Sequence, residues 1–440
     1  MKIYFPLAFM LGTFFPAFAQ TQVLKNDTIY LSLRQMWQRA EENSRPIQIS
    51  NLEHDIAEAS VKDAKLERLP ELMVKGSMEK ASNIPVYENG LFSKPSQHEV
   101  IHTLYRAGAD FYFNVYNGNK LNLKIKQEEV LEKIKQIKKD ESISDIHYKS
   151  ASLYLELQKS LMFRRLITED IRDQKLQLKE IQSLFKNGVI LKSDVLRAEL
   201  ELSKREMSLV TIENDILIVT QKLNIIIGMD DQTVIIPKED SFEEEKNITY
   251  QQYLSKALEY SFDYHLSKQQ TELSKLHLKE VKANIRPKIG LYGEFYFANP
   301  QIFLYPYNPN WYSLGIVGVK ASFSLSSLYH NTQKTQAAKL EIEKEEIAHK
   351  NTEDRVRQNV KQAYLRYTEA LKQIELAEIN VKQAKENARI IKNTYFNQTS
   401  LITDLLDADI QLLQTRFELE SSKIIAQDRY FLLQNITGTL

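Results

Sequence analysis

The sequence predicts a mostly α-helical chain with a small β part: a long α-helical coiled-coil barrel joined to a transmembrane β-barrel that several chains share. Three observations predict it. The segments Phe185 to Gly228 and Tyr395 to Gly438 align without a gap, so the chain carries an internal two-fold sequence repeat. Two long stretches, about Lys120 to Asn187 and about Leu328 to Asn397, contain neither Pro nor Gly. Four further stretches alternate apolar with polar residues, the period of a strand with two unlike faces.

Composition agrees. Only 12 Gly and 11 Pro occur among 440 residues, which favours long helices over a loop-rich fold. Lys and Arg number 58 and so do Asp and Glu, giving zero net charge with the signs interspersed. No basic stripe points to nucleic acid. The absence of cysteine excludes disulfides, thiolate metal sites and a lipid-modified N-terminal cysteine.

In chain order, Met1 to Ala19 reads as an export signal. Lys2 is the positive n-region, Ile3 to Phe15 is almost wholly apolar, and Ala17-Phe18-Ala19 carries the small residues a signal peptidase requires. The mature chain is expected to start at Gln20. No later segment approaches the roughly 20 apolar residues of a spanning helix, so any membrane crossing must be made by strands. Residues 20–228 form the first structural repeat (helix, strand, strand, helix, helix), 229–247 a polar connection, and 248–440 the second repeat.

Within the first repeat, Ser32 is placed to cap a helix from Leu33 to Arg68, with Pro46 marking a kink or restart. Leu69-Pro70 stops it. In Leu72 to Met78, Leu72, Val74, Gly76 and Met78 face one way and Met73, Lys75, Ser77 and Glu79 the other. A loop follows. Alternation then resumes with Ala107, Ala109, Phe111 and Phe113 opposed to Arg106, Gly108, Asp110, Tyr112 and Asn114. The Pro- and Gly-free stretch after Lys120 would make about 100 Å of helix, far beyond the average of about 11 to 12 residues, and needs coiled-coil partners to hold its shape. Gly188 breaks it, and another helix runs from about Leu191 to Gly228. The plan recurs: Ala40, Ser44, Pro70 and Gly76 match Ala257, Ser261, Pro287 and Gly293. The third strand sets Ile289, Leu291, Gly293, Phe295 and Phe297 against Tyr292, Glu294 and Tyr296; the fourth sets Val317, Val319, Ala321 and Phe323 against Ile316, Gly318, Lys320 and Ser322.

Alternation alone fits a soluble sheet as well. Strand length near ten residues and the aromatic cluster Phe297, Phe303, Tyr305, Tyr307, Trp311 and Tyr312 around the second loop favour a membrane sheet with an interfacial girdle. Four strands cannot close a barrel, and open edges are prohibitive in lipid, so the barrel must be shared. Two chains would supply about eight strands; three would supply about twelve and leave room for a channel. Asp110, Lys320 and Glu294 then belong to the polar, lumen-lining face. The helix-strand-loop-strand-helix order puts both loops on one side and every helix on the other. With the export signal, the helices belong in the periplasm.

These features together resemble the TolC-type outer-membrane efflux proteins over essentially the whole mature length. The residues that carry the resemblance are Leu69-Pro70-Glu71-Leu72 at the first strand, Phe113 to Gly118 after the second, and the paired motifs Asp194-Val195-Leu196-Arg197-Ala198 and Asp404-Leu405-Leu406-Asp407-Ala408. The resemblance implies a homotrimer with four strands per chain, embedded in outer-membrane lipid, that receives small molecules from an inner-membrane pump through a periplasmic adaptor (membrane fusion) protein. It implies no enzyme activity and no cofactor. It assigns Asp404 and Asp407, with Asp194, Arg197 and Tyr395, to the pore entrance, and the turns Asn187-Gly188-Val189 and Asn397-Gln398-Thr399 to adaptor docking. Three chains would set rings of Asp404 and Asp407 at the mouth, the lining of a cation-selective pore. Asp194 and Asp404 also sit where a first-turn carboxylate favours the helix dipole.

Two departures stand out. Ser400 stands where the family commonly has an arginine in its closing lock, and Arg197 is a candidate replacement cation for Asp404 or Asp407. Gln398 replaces the usual glycine, so the second turn is expected to differ in shape from the first. No nucleotide loop, zinc-protease helix or nucleophile elbow is present. His98 and His102 read as polar loop residues before a metal pair. Rival readings are a protein-secretion outlet of the same channel class and a periplasmic coiled-coil scaffold without a pore.

Overall fold

The computed structural model describes residues 28–238, 249–302 and 307–440. The export signal, the Gln20 start, residues 239–247 of the connection, and Phe303 and Tyr305 of the second loop lie outside the described residues. The elements are β1 (Thr28–Leu31), α1 (Leu33–Asn43), α2 (Arg45–Leu66), β2 (Glu71–Lys80), β3 (Ile84–Val86), β4 (Ser96–His98), β5 (Thr103–Tyr116), α3 (Lys120–Lys186), α4 (Lys192–Ile227), β6 (Val234–Pro237), α5 (Tyr250–Tyr260), α6 (Phe262–Ala283), β7 (Lys288–Asn299), β8 (Tyr312–Ser322), α7 (Ser327–Phe396) and α8 (Ile402–Thr437). The two halves share a plan: helices of 11 and 22 residues, a strand pair, then helices of 67 and 36 residues in the first half and 70 and 36 in the second.

Local chemistry sets the short helices. Ser32 closes a capping box: Gln35 N–H donates to Ser32 Oγ at 3.3 Å, and Ser32 N–H donates to Gln35 Oε1 at 3.1 Å. Thr249 N–H likewise donates to Gln252 Oε1 at 2.8 Å, so each half starts with the same device. Pro46 marks a restart rather than a kink. Ser44 is extended, and α2 begins with Pro46 in its first turn, where a missing N–H costs nothing. Ser261 breaks α5 from α6 in the same way. The ends of α4 and α8 close on these breaks. A Cβ on Gly228 would lie 2.7 Å from Asn43 Cβ, and one on Gly438 2.2 Å from the Tyr260 carbonyl oxygen.

Four short strands were invisible in the sequence. β1 pairs in parallel with β6, from Thr28 opposite Val234 to Leu31 opposite Pro237, so the polar connection contributes a strand. The Tyr154 hydroxyl of α3 lies 3.0 Å from the Leu31 carbonyl and 2.9 Å from that of Lys238, fixing this ribbon to the long helix. The first loop also holds a short hairpin, with Ile84 opposite His98. His102 Nδ1 is 2.9 Å from the Ala81 carbonyl, so it is engaged by backbone.

The main sheet has the order β2-β5-β7-β8, antiparallel throughout. Register keeps the two faces unlike across all four strands. Met73, Asp110, Glu294 and Ile316 form one row, and Leu72, Phe111, Gly293 and Val317 form the next row on the opposite face. Asp110, Glu294 and Lys320 therefore share the polar face. Lys75 Nζ lies 2.9 Å from Asp110 Oδ1, and Arg106 pairs with Glu294 on the same face. On the other face Val74, Val317 and Val319 are 89, 79 and 67 % exposed in one chain. Among the described residues both outer strands, β2 and β8, leave an edge unpaired.

Four apolar clusters hold the helices together at intervals. Near the middle, Met36, Leu157, Leu223 and Ile227 form one core, and Tyr253, Val360, Tyr367 and Leu433 form its counterpart with Ala151 and Leu155 of α3. Leu123, Val130, Leu276 and Ala283 join α3 to α6 below the sheet. Ile181, Val195, Tyr395, Ile402 and Leu405 join the two hairpins at the far end. No helix among the described residues is long and apolar enough to cross a membrane.

The far turns correct one expectation. Gly188 N–H donates to the Phe185 carbonyl at 2.9 Å and Val189 N–H to that of Leu184 at 3.0 Å. In the second hairpin, Gln398 N–H donates to the Tyr395 carbonyl at 2.8 Å and Thr399 N–H to that of Thr394 at 2.9 Å. Both are Schellman caps of the same shape. Gln398 takes φ 63° beside 75° for Gly188, so the cap's paired bonds impose a left-handed glutamine rather than a different turn. An L-residue there costs roughly 1–2 kcal/mol. Gln398→Gly should therefore raise stability by about 1 kcal/mol, and Gly188→Gln should lower it by about the same amount. The second change meets no atom within 4 Å of the new Cβ, so urea unfolding of the pair isolates the backbone cost.

Candidate functional site: the hairpin tips

The functional residues expected at the tips are brought together in one chain. α4 and α8 each begin after an extended leucine, Leu191 and Leu401. Leu401 N–H donates to Asp404 Oδ2 at 3.1 Å, so Asp404 satisfies a helix N-terminus that has no intrahelical partner. Asp404 and Asp407 are both exposed and lie on the side of α8 opposite the buried Ile402, Leu405 and Leu406. Asp404 is thus at once a capping group and a surface carboxylate. Asn187, Gly188, Val189, Asn397, Gln398 and Thr399 are all exposed at the extreme end of the hairpins.

Tyr395 is 5 % exposed and packs in the cluster that joins the hairpins. Its hydroxyl is buried without a hydrogen-bond partner. Burial pushes its phenol above the ordinary range, and the nearby Asp194 carboxylate adds to the rise. The ring and the aspartate therefore face each other across the two hairpins without a closed bond. Ser400 is engaged locally, with the Thr394 hydroxyl donating to it at 3.1 Å. Arg197 is exposed, and within one chain it forms no ion pair with Asp404 or Asp407. The replacement lock expected from Arg197 is not made inside a single chain.

The bonds that do tie the hairpins together involve residues the sequence reading passed over. Asp409 on α8 accepts from Gln174 Nε2 at 3.0 Å and from Gln177 Nε2 at 2.8 Å, both on α3. Both glutamines are buried. Beside them, Arg205 of α4 is 4 % exposed and pairs with Asp170 of α3 and, at 3.6 Å, with Glu201. Burial pushes the Asp170 carboxyl up and outweighs the lowering by Arg205; Asp409 adds to the rise. Arg205 Nη2 is buried and unbonded. The signal was available. Arg205 lies between Leu202 and Leu209 at helical spacing, a charge on an otherwise apolar stripe. Farther up the same seam, Phe163 stacks on Phe417 at 4.4 Å, and Asn435 Nδ2 donates to Ser144 and Asp145 at 3.1 Å.

This ionic layer belongs to the first half alone. Asn380 and Thr415 occupy the positions of Asp170 and Arg205 in the second half. Removing one partner of a buried pair strands the other charge, at a cost of roughly 3–5 kcal/mol. Asp170→Leu is expected to destabilise on that scale. Asp170→Asn combined with Arg205→Thr, which copies the second half, is expected to cost well under half as much. Chemical unfolding of the single and double variants checks the difference.

No family model matches this chain, and no curated protein matches it in sequence. Solved structures do match it in fold. The outer-membrane channel OprN superposes with a TM-score of 0.78 at 14 % identity, covering 93 % of this chain and 90 % of that one. The outer-membrane protein VceC from Vibrio cholerae gives 0.75 at 15 %, covering 92 % and 96 %. The Campylobacter jejuni CmeC outer-membrane channel gives 0.76 at 14 %, covering 92 % and 85 %.

Proposed function

We propose that this chain, which has the fold of the TolC-type outer-membrane efflux channels, is the outer-membrane exit duct of a tripartite efflux or secretion system. The observation that carries the reading is the four-stranded sheet. One face is apolar and exposed, the other carries the charges, and both edges are open on top of helices of 67 and 70 residues. Such a sheet is costly alone in water and impossible alone in lipid, and both costs vanish when copies close it into a barrel. Three copies supply about twelve strands, enough to leave an aqueous lumen. The helices then continue the lumen into the periplasm as a tunnel. Its far end is the ring of tips, where a periplasmic adaptor linked to an inner-membrane pump would dock on the exposed turns around Gly188 and Gln398.

In this arrangement Asp404 and Asp407 ring the mouth and favour cations. Purified protein in planar lipid bilayers is expected to conduct and to prefer cations; a protein that is extracted without detergent and never conducts would sink the reading. Asp404→Asn with Asp407→Asn keeps an acceptor for the Leu401 N–H but removes the charge. The double variant is expected to move the reversal potential in a salt gradient toward zero selectivity while single-channel current persists.

A further inference from the structure

On the polar face of the sheet two tyrosines lie across glycines of the neighbouring strand. A Cβ on Gly290 of β7 would fall 2.5 Å from the hydroxyl oxygen of Tyr112 on β5 and 2.6 Å from its Cε2 and Cζ. One on Gly318 of β8 would fall 3.0 Å from Cε1 of Tyr292 on β7 and 3.1 Å from its Cζ and hydroxyl oxygen. Near-equal distances to three atoms that are not in line put that point off the ring plane. Each glycine is therefore covered by the face of a ring, and the opposite face looks away from the sheet. A side chain at either glycine would push its ring up from the wall. Tyr112 and Tyr292 are opposite each other in the register, so the rings are neighbours. Together they pave the wall from β5 across β7 to β8, two strand spacings or roughly 10 Å. Each is 37 % exposed in one chain. The other tyrosines of this face offer less. Arg106 covers the Tyr296 ring at 3.9 Å from its centroid, and Tyr312 meets Tyr296 edge to face.

The pair floors a depression of about 740 Å³, flanked by Lys75, Asp110, Glu294 and Lys320. That volume suits a small molecule. Cations and anions balance around it, and Lys75 and Asp110 are bonded to each other, so charge selects little there. What the depression offers is π surface. On the apolar face Phe111 covers Gly293 in the same way, so the device in itself is structural. Its use on the polar face, with phenols whose edges are hydrated and whose faces are free, makes a site of it. We propose that Tyr112 and Tyr292 form a stacking site for uncharged, fused-ring aromatic solutes in the barrel wall. This rests on the channel reading above and adds a solute class to it. Glu71, the first residue of β2, shares a row with Tyr112, Tyr292 and Gly318. The site therefore stands at the helix-proximal end of the sheet, where a solute leaving the tunnel would enter the barrel. Repeated in every copy, the pair makes a belt of rings. Stacking gathers such solutes and still lets them go, as transit demands.

Riboflavin is an uncharged fused-ring probe whose fluorescence falls when it stacks on tyrosine. The purified protein in lipid nanodiscs should quench it saturably, and empty nanodiscs should not. Tyr112→Leu with Tyr292→Leu should weaken the binding by roughly tenfold or more, whereas Tyr112→Phe with Tyr292→Phe should keep it. Gly290→Ala leaves both tyrosines in place and pushes the Tyr112 ring off the wall. The new Cβ meets only the far end of a side chain that can swing into the lumen, so the fold is retained, and binding should weaken by about threefold. Riboflavin phosphate, the same ring system with an anionic group, should bind no more tightly. Quenching that is absent from the wild-type protein, that the leucine and alanine variants leave unchanged, that phenylalanine fails to support, or that strengthens with the phosphate would overturn the site while a conducting channel still stands. A protein that never conducts in planar bilayers would overturn the channel reading, and the site with it.

Discussion

A helix of 67 or 70 residues has no means of staying straight except by burying a stripe along its whole length. That requirement governs the rest of the molecule. α3 meets its obligation piecemeal: against α6 near the sheet, against both halves at the middle, and against the second hairpin at the tips. Between the middle and tip clusters the seam turns polar, with Asp170, Arg205, Gln174, Gln177 and Asp409 in place of aliphatic side chains. Such a layer contributes less to stability than an apolar one would, yet it tolerates few alternative registers, since any slip strands a buried charge.

The long elements were legible because their signals are local. Pro and Gly are absent from the helices except for Pro46 in the first turn of α2, and alternation identified each of the four main strands within a few residues. What escaped was nonlocal. The ribbon of Thr28–Leu31 with Val234–Pro237 joins two four-residue segments separated by the entire first half, and neither has a pattern of its own. The hydrogen bonds of Asp409 depend on which face of α8 meets α3, a question of helix rotation that residue spacing leaves open. Asp404 was legible as a first-turn carboxylate that favours the helix dipole, while its bond from the Leu401 N–H emerged only in the structure. Gln398 shows the limit of propensity. The cap's paired bonds and the cluster around Tyr395 outweigh the roughly 1–2 kcal/mol that argues against a left-handed glutamine.

The two halves share a plan and divide the labour. The first carries the buried ionic layer and an ordinary glycine turn. The second carries the exposed Asp404 and Asp407 and the left-handed Gln398. Tyr395 reaches from the second into the first and leaves its hydroxyl unbonded beside Asp194. Strain and an unmet hydroxyl are both on the side of the second hairpin, so the first reads as the stiffer wall and the second as the part with more to gain by moving.

The ribbon between β1 and β6 has a consequence for biogenesis. The buried core beneath it draws only on residues from Leu31 to Ile235, in the first half and the connection that follows it. Its counterpart in the second half incorporates Ala151 and Leu155 of α3. β7 likewise finds its place by pairing with β5. As the chain is delivered from its N-terminus, the first half can therefore close upon itself before the second has arrived. The second half then assembles on a template already in place, which gives a duplicated sequence a definite order of folding.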